Sequence, residues 1–213
     1  MKKFLFLTFF ICTTTVFAQY DWTPAVVTLN TGEILEGEVK LIQKGYGFNV
    51  TSTSLRYRSF DKENKDNYKS RDVDNVIFTN TYVQDVDGKK VEKVSYDRYI
   101  SVDTKRYNKR IFLQEVLKDK VSIYAQPVKN YKAGITSEFF PASLGEFTIV
   151  YLKKDDASAR LITVLGLDGV IQEQRAADYL ANCPMTLQFI KDKDGNVNAV
   201  ELANYYNANC SSD

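Results

Sequence analysis

Val26-Val27-Thr28-Leu29-Asn30-Thr31-Gly32-Glu33-Ile34-Leu35-Glu36-Gly37-Glu38-Val39 is the stretch whose reading decides the fold. Val27 and Leu29 alternate with Thr28 and Asn30, and Leu35, Gly37 and Val39 alternate with Glu36 and Glu38. That period of two belongs to half-buried strands. Asn30 and Gly32 tolerate positive φ, so the chain can reverse between the two runs. A glycine inside a strand, as at Gly37, is expected to mark a bulge or bend, a device that curls a sheet.

The pattern continues outward from this hairpin. Residues 45–51 follow a glycine turn and read as a strand, 55–60 alternate again, and 73–78 form a short apolar strand. Five short strands suit a small barrel or a strongly twisted sheet. The order of strand, glycine turn and strand with an inner glycine resembles the Sm-like and SH3-like small barrels. That resemblance implies nucleic-acid binding. The charges oppose it: Arg56, Arg58, Lys62, Lys65, Lys69 and Arg71 are diluted by Asp61, Glu63, Asp66, Asp72 and Asp74. A phosphate-binding surface needs an excess of cations. A structural barrel with no nucleic-acid partner is the expectation.

The first residues read as an export signal. Lys2-Lys3 precede the apolar run 4–17, and Val16-Phe17-Ala18 places small residues where a leader peptidase cleaves. The run is too short to span a bilayer comfortably, so no transmembrane segment is expected after cleavage. Cys12 lies inside the apolar run without the small residues of a lipobox, and leaves with the leader. Losing Lys2 and Lys3 takes 28 basic residues to 26 against 27 acidic ones, a formal charge of −1. Such a balance gives no argument for a polyanion partner or for membrane adsorption.

Further along, 79–86 and 91–96 flank Asp87-Gly88, a strong hairpin signal. The polar stretch 97–110 suggests a subdomain boundary. Residues 111–117 are apolar on both sides and fit a buried strand or a short helix. Residues 121–124 read as a strand stopping near Pro127, and 126–143 as a long surface loop carrying Phe139-Phe140-Pro141. Residues 147–152 and 159–164 flank Lys154-Asp155-Asp156 as a hairpin. From Val170 the spacing changes to three and four, through Ile171, Ala176, Ala177, Tyr179 and Leu180. Pro184 opens a second helix over 185–191. Asn198 with Glu201 forms a capping box for a last helix ending at Asn209. The expected class is α+β: mostly antiparallel β, as a small barrel or twisted sheets, with a C-terminal helical unit. The expected organisation is a leader at 1–18, a barrel-like region at 19–96, a second antiparallel region at 97–169 and the helical unit at 170–213.

The leader ending at Ala18-Gln19, the turn at Thr31-Gly32-Glu33 and the closing Asp178-Tyr179-Leu180-Ala181-Asn182-Cys183-Pro184 with Tyr205-Tyr206-Asn207 together resemble uncharacterised secreted proteins of Bacteroidetes-type bacteria. The resemblance implies location and fold class and carries no activity.

The chain has no histidine. That excludes Ser-His-Asp and Cys-His catalysis and the usual zinc sites. Asp155-Asp156 sits at a hairpin tip beside Lys153-Lys154, and Gly45-Tyr46-Gly47 lacks the helix of a phosphate loop. Lys191-Asp192-Lys193-Asp194-Gly195-Asn196 resembles part of a calcium loop but lacks its third aspartate and bidentate glutamate. No catalytic residue, metal or cofactor is expected. Two function classes stand. One is a non-enzymatic binding or structural module of the bacterial envelope, periplasmic or secreted, whose partner is an unknown protein or glycan. The other is a hydrolase using a carboxylate pair from separate strands, as glycosidases do. Cys183 and Cys210 are the two cysteines that remain after the leader, and one disulfide between them is expected to close the helical unit. The leader reading predicts that N-terminal sequencing of the exported protein begins at Gln19; a chain starting at Met1 in the membrane fraction overturns it.

Overall fold

The computed structural model describes residues 22–45, 50–61, 65–86, 89–128, 131–132, 143–144, 147–155, 157–164 and 166–210. The opening hairpin forms as its alternation dictates. β1 (Thr23–Leu29) pairs antiparallel with β2 (Ile34–Lys44), with Val27 opposite Leu35 and Ala25 opposite Gly37. Gly32 turns the chain at φ +86°, and its N–H donates to the Leu29 carbonyl at 2.9 Å. Gly37 is not a bulge, because the ladder runs regularly through it. Its missing side chain instead admits the Arg58 carbonyl and the Tyr57 ring, whose Cε2 would lie 2.7 Å from an added Cβ. The register shifts fall elsewhere, at Thr28/Leu29 and at Ile42/Gln43.

The remaining strands are β3 (Thr51–Arg58), β4 (Lys65–Lys69), β5 (Val73–Val86), β6 (Lys89–Thr104), β7 (Lys109–Leu117), β8 (Val121–Val128), β9 (Tyr131–Lys132), β10 (Ser143–Leu144), β11 (Phe147–Lys154) and β12 (Arg160–Thr163). Ten of the twelve form one antiparallel sheet in the order β12-β11-β8-β7-β6-β5-β1-β2-β3-β4; β9 and β10 pair separately. The sheet is open, with edges at β4 and β12. The small barrel is therefore replaced by its alternative, a twisted sheet. Three helices follow: α1 (Glu173–Tyr179), α2 (Pro184–Asp192) and α3 (Ala199–Asn209).

β7 explains how the sheet is built. Ile111, Phe112 and Leu113 are all buried, so both faces of this strand are covered. Phe112 packs with Val27, Val39, Leu55, Val76 and Tyr99 on one face. Ile111 and Leu113 pack with Val102, Tyr124, Ile149, Tyr151 and Leu161 on the other. The N-terminal half curls so that β3 comes against β7. Polar side chains stitch that seam. Ser70 Oγ donates to the Arg110 carbonyl at 2.7 Å, Ser101 Oγ donates to the Ser70 carbonyl, and Gln126 Nε2 donates to the Val50 carbonyl at 2.9 Å. The C-terminal half curls around the opposite face. Ala159, just before β12, meets the end of β6, its N–H donating to the Asp103 carbonyl at 2.7 Å.

Several local expectations are corrected. The edge strand β4 carried no alternation signal, because its residues are almost all exposed and charge guards its edge. Residues 55–58 are the later part of β3, which already begins at Thr51, and 59–60 lie beyond its end; 46–49 of the strand expected before it lie outside the described residues. The runs 73–78 and 79–86 are a single strand, β5. The polar stretch at 97 lies inside β6, so the sheet passes through the expected subdomain boundary. Its inward Ser101 and Thr104 are satisfied by backbone carbonyls, which is how a polar sequence can occupy a buried strand. Strand β8 continues through Pro127. Beyond Ala125 it has lost β7 as a neighbour, and a proline is tolerated at such an edge. Asp87-Gly88, Phe139-Phe140-Pro141, Asp156 and the leader lie outside the described residues.

The helices cover the β8–β11–β12 end of one face. Val121, Ile123, Val150, Leu152 and Ile162 pack against Ala176, Leu180, Ile190, Leu202 and Tyr206. Burying five aliphatic sheet residues of this size contributes on the order of 10 kcal/mol. Pro184 takes the first turn of α2, and the Asn198–Glu201 capping box forms, with Glu201 N–H donating to Asn198 Oδ1 at 2.9 Å. Asn207 docks α3 onto β8. Its amide accepts from the Val121 N–H at 2.7 Å and donates to the Val121 carbonyl at 3.0 Å, supplying the ladder partners that β7 does not provide there. Cys183 and Cys210 form a disulfide with Cα atoms 5.9 Å apart, both nearly buried in this core. Replacing both cysteines by serine is expected to lower stability by about 3–4 kcal/mol, read from urea unfolding of the leaderless protein; an unchanged midpoint refutes a structural role for the bond.

Candidate functional site

Sequence TKRYNKR, 104–110, contains the turn between β6 and β7. Asn108 takes positive φ, 48°, to reverse the chain there. Because each curl of the sheet closes against β6 or β7 near this turn, a cleft opens on either side of it.

The first cleft, of about 530 Å³, lies where β6 meets β12. Lys105 and Arg106 enter from the turn, Arg160 from β12 and Arg175 from α1. Leu161, Val164 and Gln172 complete the lining. The second, of about 810 Å³, lies in the seam between β3 and β7. Its cations are Lys44, Lys69, Arg71, Lys109 and Arg110, interleaved with Thr53, Ser54, Ser70 and Asn108. Among the described residues the two linings contain a single carboxylate, Asp103, whose Oδ2 is 3.8 Å from Arg110 Nε. Arg71 pairs with exposed Asp72 at 3.6 Å, and Arg160 with Asp178 at 3.9 Å. Exposed pairs of that length contribute little. Lys44, Lys69, Lys105, Lys109 and Arg175 have no salt bridge among the described residues. Positive potential therefore concentrates at the turn although the whole chain is near neutral.

A second feature is the distal part of the β5–β6 hairpin. β1 pairs with β5 only up to Phe78, and β7 pairs with β6 only from Tyr99. Beyond those points β5 and β6 pair with each other alone, from Thr79↔Tyr96 to Val86↔Lys89. This arm exposes Val83 (63 %), Val94 (50 %) and Tyr96 (70 %) on one face, and Tyr82 and Val91 on the other.

Of the residues singled out in the sequence, Cys183 and Cys210 are brought together, as the disulfide. Asp155 stands at the β11–β12 turn with φ 40°. Asp192 ends α2, and residues 193–196 form the turn after it, in which Asp194 and Gly195 take positive φ and the Gly195 N–H donates to the Ile190 carbonyl. Among the described residues no group of three or more acidic, cysteine or histidine side chains could hold a metal ion. Arg58 is engaged by Glu38 at 2.7 Å and lies over the Trp22 ring. Of the cations that seemed diluted, Lys69 and Arg71 do reach a cleft. The rest of the cluster was missed because it is assembled from β2, β7, β12 and α1; the paired Lys105-Arg106 and Lys109-Arg110 were its one local signal.

The buried tyrosines supply no base. Tyr151 is fully buried, its hydroxyl donating to Gln126 Oε1 at 3.3 Å, and burial drives its pKa far upward. Burial likewise raises Tyr124 and Tyr179. No protein-family profile, no curated protein and no solved structure matches this chain. The raised tyrosines set a pH dependence. The unfolded chain ionises near pH 10 while these hydroxyls stay neutral, so their contribution is complete below about pH 10 and declines as pH rises beyond it. The thermal midpoint is expected to fall above about pH 10, and less steeply in Tyr151→Phe; a flat profile counts against burial as the cause.

Proposed function

We propose that the protein is an exported, non-enzymatic binding module of the bacterial envelope, periplasmic or secreted, that engages a protein partner through the β5–β6 arm. The arm is the observation that carries this reading. An isolated two-stranded hairpin is marginal in water. Here both faces of one carry large apolar side chains in contact with solvent, including Val83, Val94 and Tyr96. Cross-strand neighbours place Val94 opposite Thr81 and Tyr96 opposite Thr79, so Val83, Val94 and Tyr96 share one face as a contiguous apolar surface. Exposed apolar surface of that kind is what protein interfaces cover.

The location rests on the leader at 1–18 and on the disulfide, a bond that persists in oxidising compartments. No helix among the described residues is long and apolar enough to cross a membrane. The binding reading is favoured over a carboxylate-dependent hydrolase by the clefts, where Asp103 has no second carboxylate beside it among the described residues.

A photo-crosslinking residue at Val83 or Tyr96, in protein expressed with its leader, is expected to give a discrete protein adduct in the envelope fraction. The same residue at exposed Met185 is expected to give none. Val83→Asp combined with Val94→Asp should abolish the adduct while the thermal midpoint is kept. Cytoplasmic retention, equal adducts from Met185, or a turnover abolished by one Asp or Glu substitution each overturns the proposal.

A further inference from the structure

We infer that the paired clefts flanking the β6–β7 turn form one binding site for an anionic polysaccharide, a glycan chain carrying carboxylate or sulfate groups. The inference takes its compartment from the reading above and uses a surface separate from the arm.

Charge sets the first requirement. The linings bring nine Lys and Arg side chains to one region with Asp103 as the sole carboxylate among the described residues. Five of them, Lys44, Lys69, Lys105, Lys109 and Arg175, have no salt bridge among the described residues. Cations gathered in this way repel one another and raise the local anion concentration. A single small anion would be served by one cleft. Two clefts joined by the Arg106–Lys109 turn, at most about 11 Å of extended chain, suit a polymer whose charges repeat over a short oligosaccharide.

The neutral lining sets the second requirement. Thr53, Ser54, Ser70 and Asn108 stand between the cations of the β3 seam, and Gln172 stands in the β12 cleft. These are donors and acceptors suited to sugar hydroxyls. Sequence-tolerant binding of single-stranded nucleic acid needs aromatic side chains for base stacking. Neither lining contains one among the described residues. The structure of the site also fixes its dependence on the fold. Ser70, in the seam, is itself held by Arg110 and Ser101, so Lys69 and Arg71 on either side of it keep their spacing from the cations of the turn when no ligand is bound.

Affinity of the leaderless, oxidised protein for polygalacturonate, heparin, neutral dextran, inorganic polyphosphate and single-stranded DNA tests this. Binding to polygalacturonate or heparin is expected, falling at least tenfold between about 50 and about 200 mM salt, with dextran unbound. The two charged glycans separate carboxylate from sulfate recognition. Lys69→Glu with Lys109→Glu, and separately Lys105→Glu with Arg175→Glu, should each weaken binding by about tenfold or more. The corresponding alanine pairs give the same direction should a charge reversal impair folding. Absence of binding to both charged glycans at low salt overturns the inference, as does binding of polyphosphate and DNA as tight as that of either glycan, or indifference to both pairs of substitutions. Reducing ends are followed in the same samples. Their release would overturn the non-enzymatic reading and leave the ligand assignment standing; loss of glycan binding alone leaves the arm's role untouched.

Discussion

The constraint on which the rest of the molecule depends is burial of β7 on both faces. A strand with Ile111 and Leu113 packed one way and Phe112 the other cannot lie at the surface of a two-layer fold. One half of the sheet must cover each face, so the two halves curl in opposite senses about the β6–β7 pair. A single closed barrel would cover only one side. The open edges at β4 and β12, the seam at Ser70 and the meeting of Ala159 with Asp103 all follow from that arrangement. The polar bonds in the seam take the place of ladder bonds, and they are directional.

The helical unit answers a second consequence of the same geometry. The β7–β8 ladder shifts register between Glu115 and Leu117, which leaves Val121 without β7 as a backbone partner. A buried amide left unpaired costs about 1–3 kcal/mol. Asn207 supplies both bonds from α3, and Lys120 Nζ donates to the Cys210 carbonyl at 3.1 Å just past the end of that helix. The disulfide then ties Cys210 back to the start of α2. Short helices of this length would not persist alone. Their anchoring is therefore divided between one apolar face, one side-chain amide and one covalent bond.

Local signals in the sequence were enough for the opening hairpin, the β11–β12 hairpin, the α3 capping box and the cysteine pair. Each is determined by residues a few positions apart, or, for Cys183 and Cys210, by their being the two cysteines beyond Cys12. What was illegible depends on distant neighbours. Gly37 looked like a bulge because the strand's own pattern does not reveal that the Arg58 carbonyl crosses it. Ser101 and Thr104 looked like part of a subdomain boundary because the carbonyls that satisfy them belong to Ser70 and Lys109. Pro127 looked like a stop because loss of the β7 neighbour cannot be seen from β8.

The same reasoning applies to charge. Over most of the chain, cations and carboxylates alternate closely, and the formal total is only +1. Electrostatic potential depends on distance in space, and the two curls sort the charges that the sequence mixes. Asp66 and Lys69 are neighbours in sequence on β4, yet Lys69 lines the seam and Asp66 does not. Net charge therefore bounds how the whole molecule behaves in solution, and says little about a site assembled from β2, β4, β7, β12 and α1. The turn at 104–110 is the exception, because it alone supplies cations to both clefts from consecutive residues. A basic doublet on each side of a tight turn, at the point where two curls of a sheet meet, is a local pattern with a three-dimensional consequence.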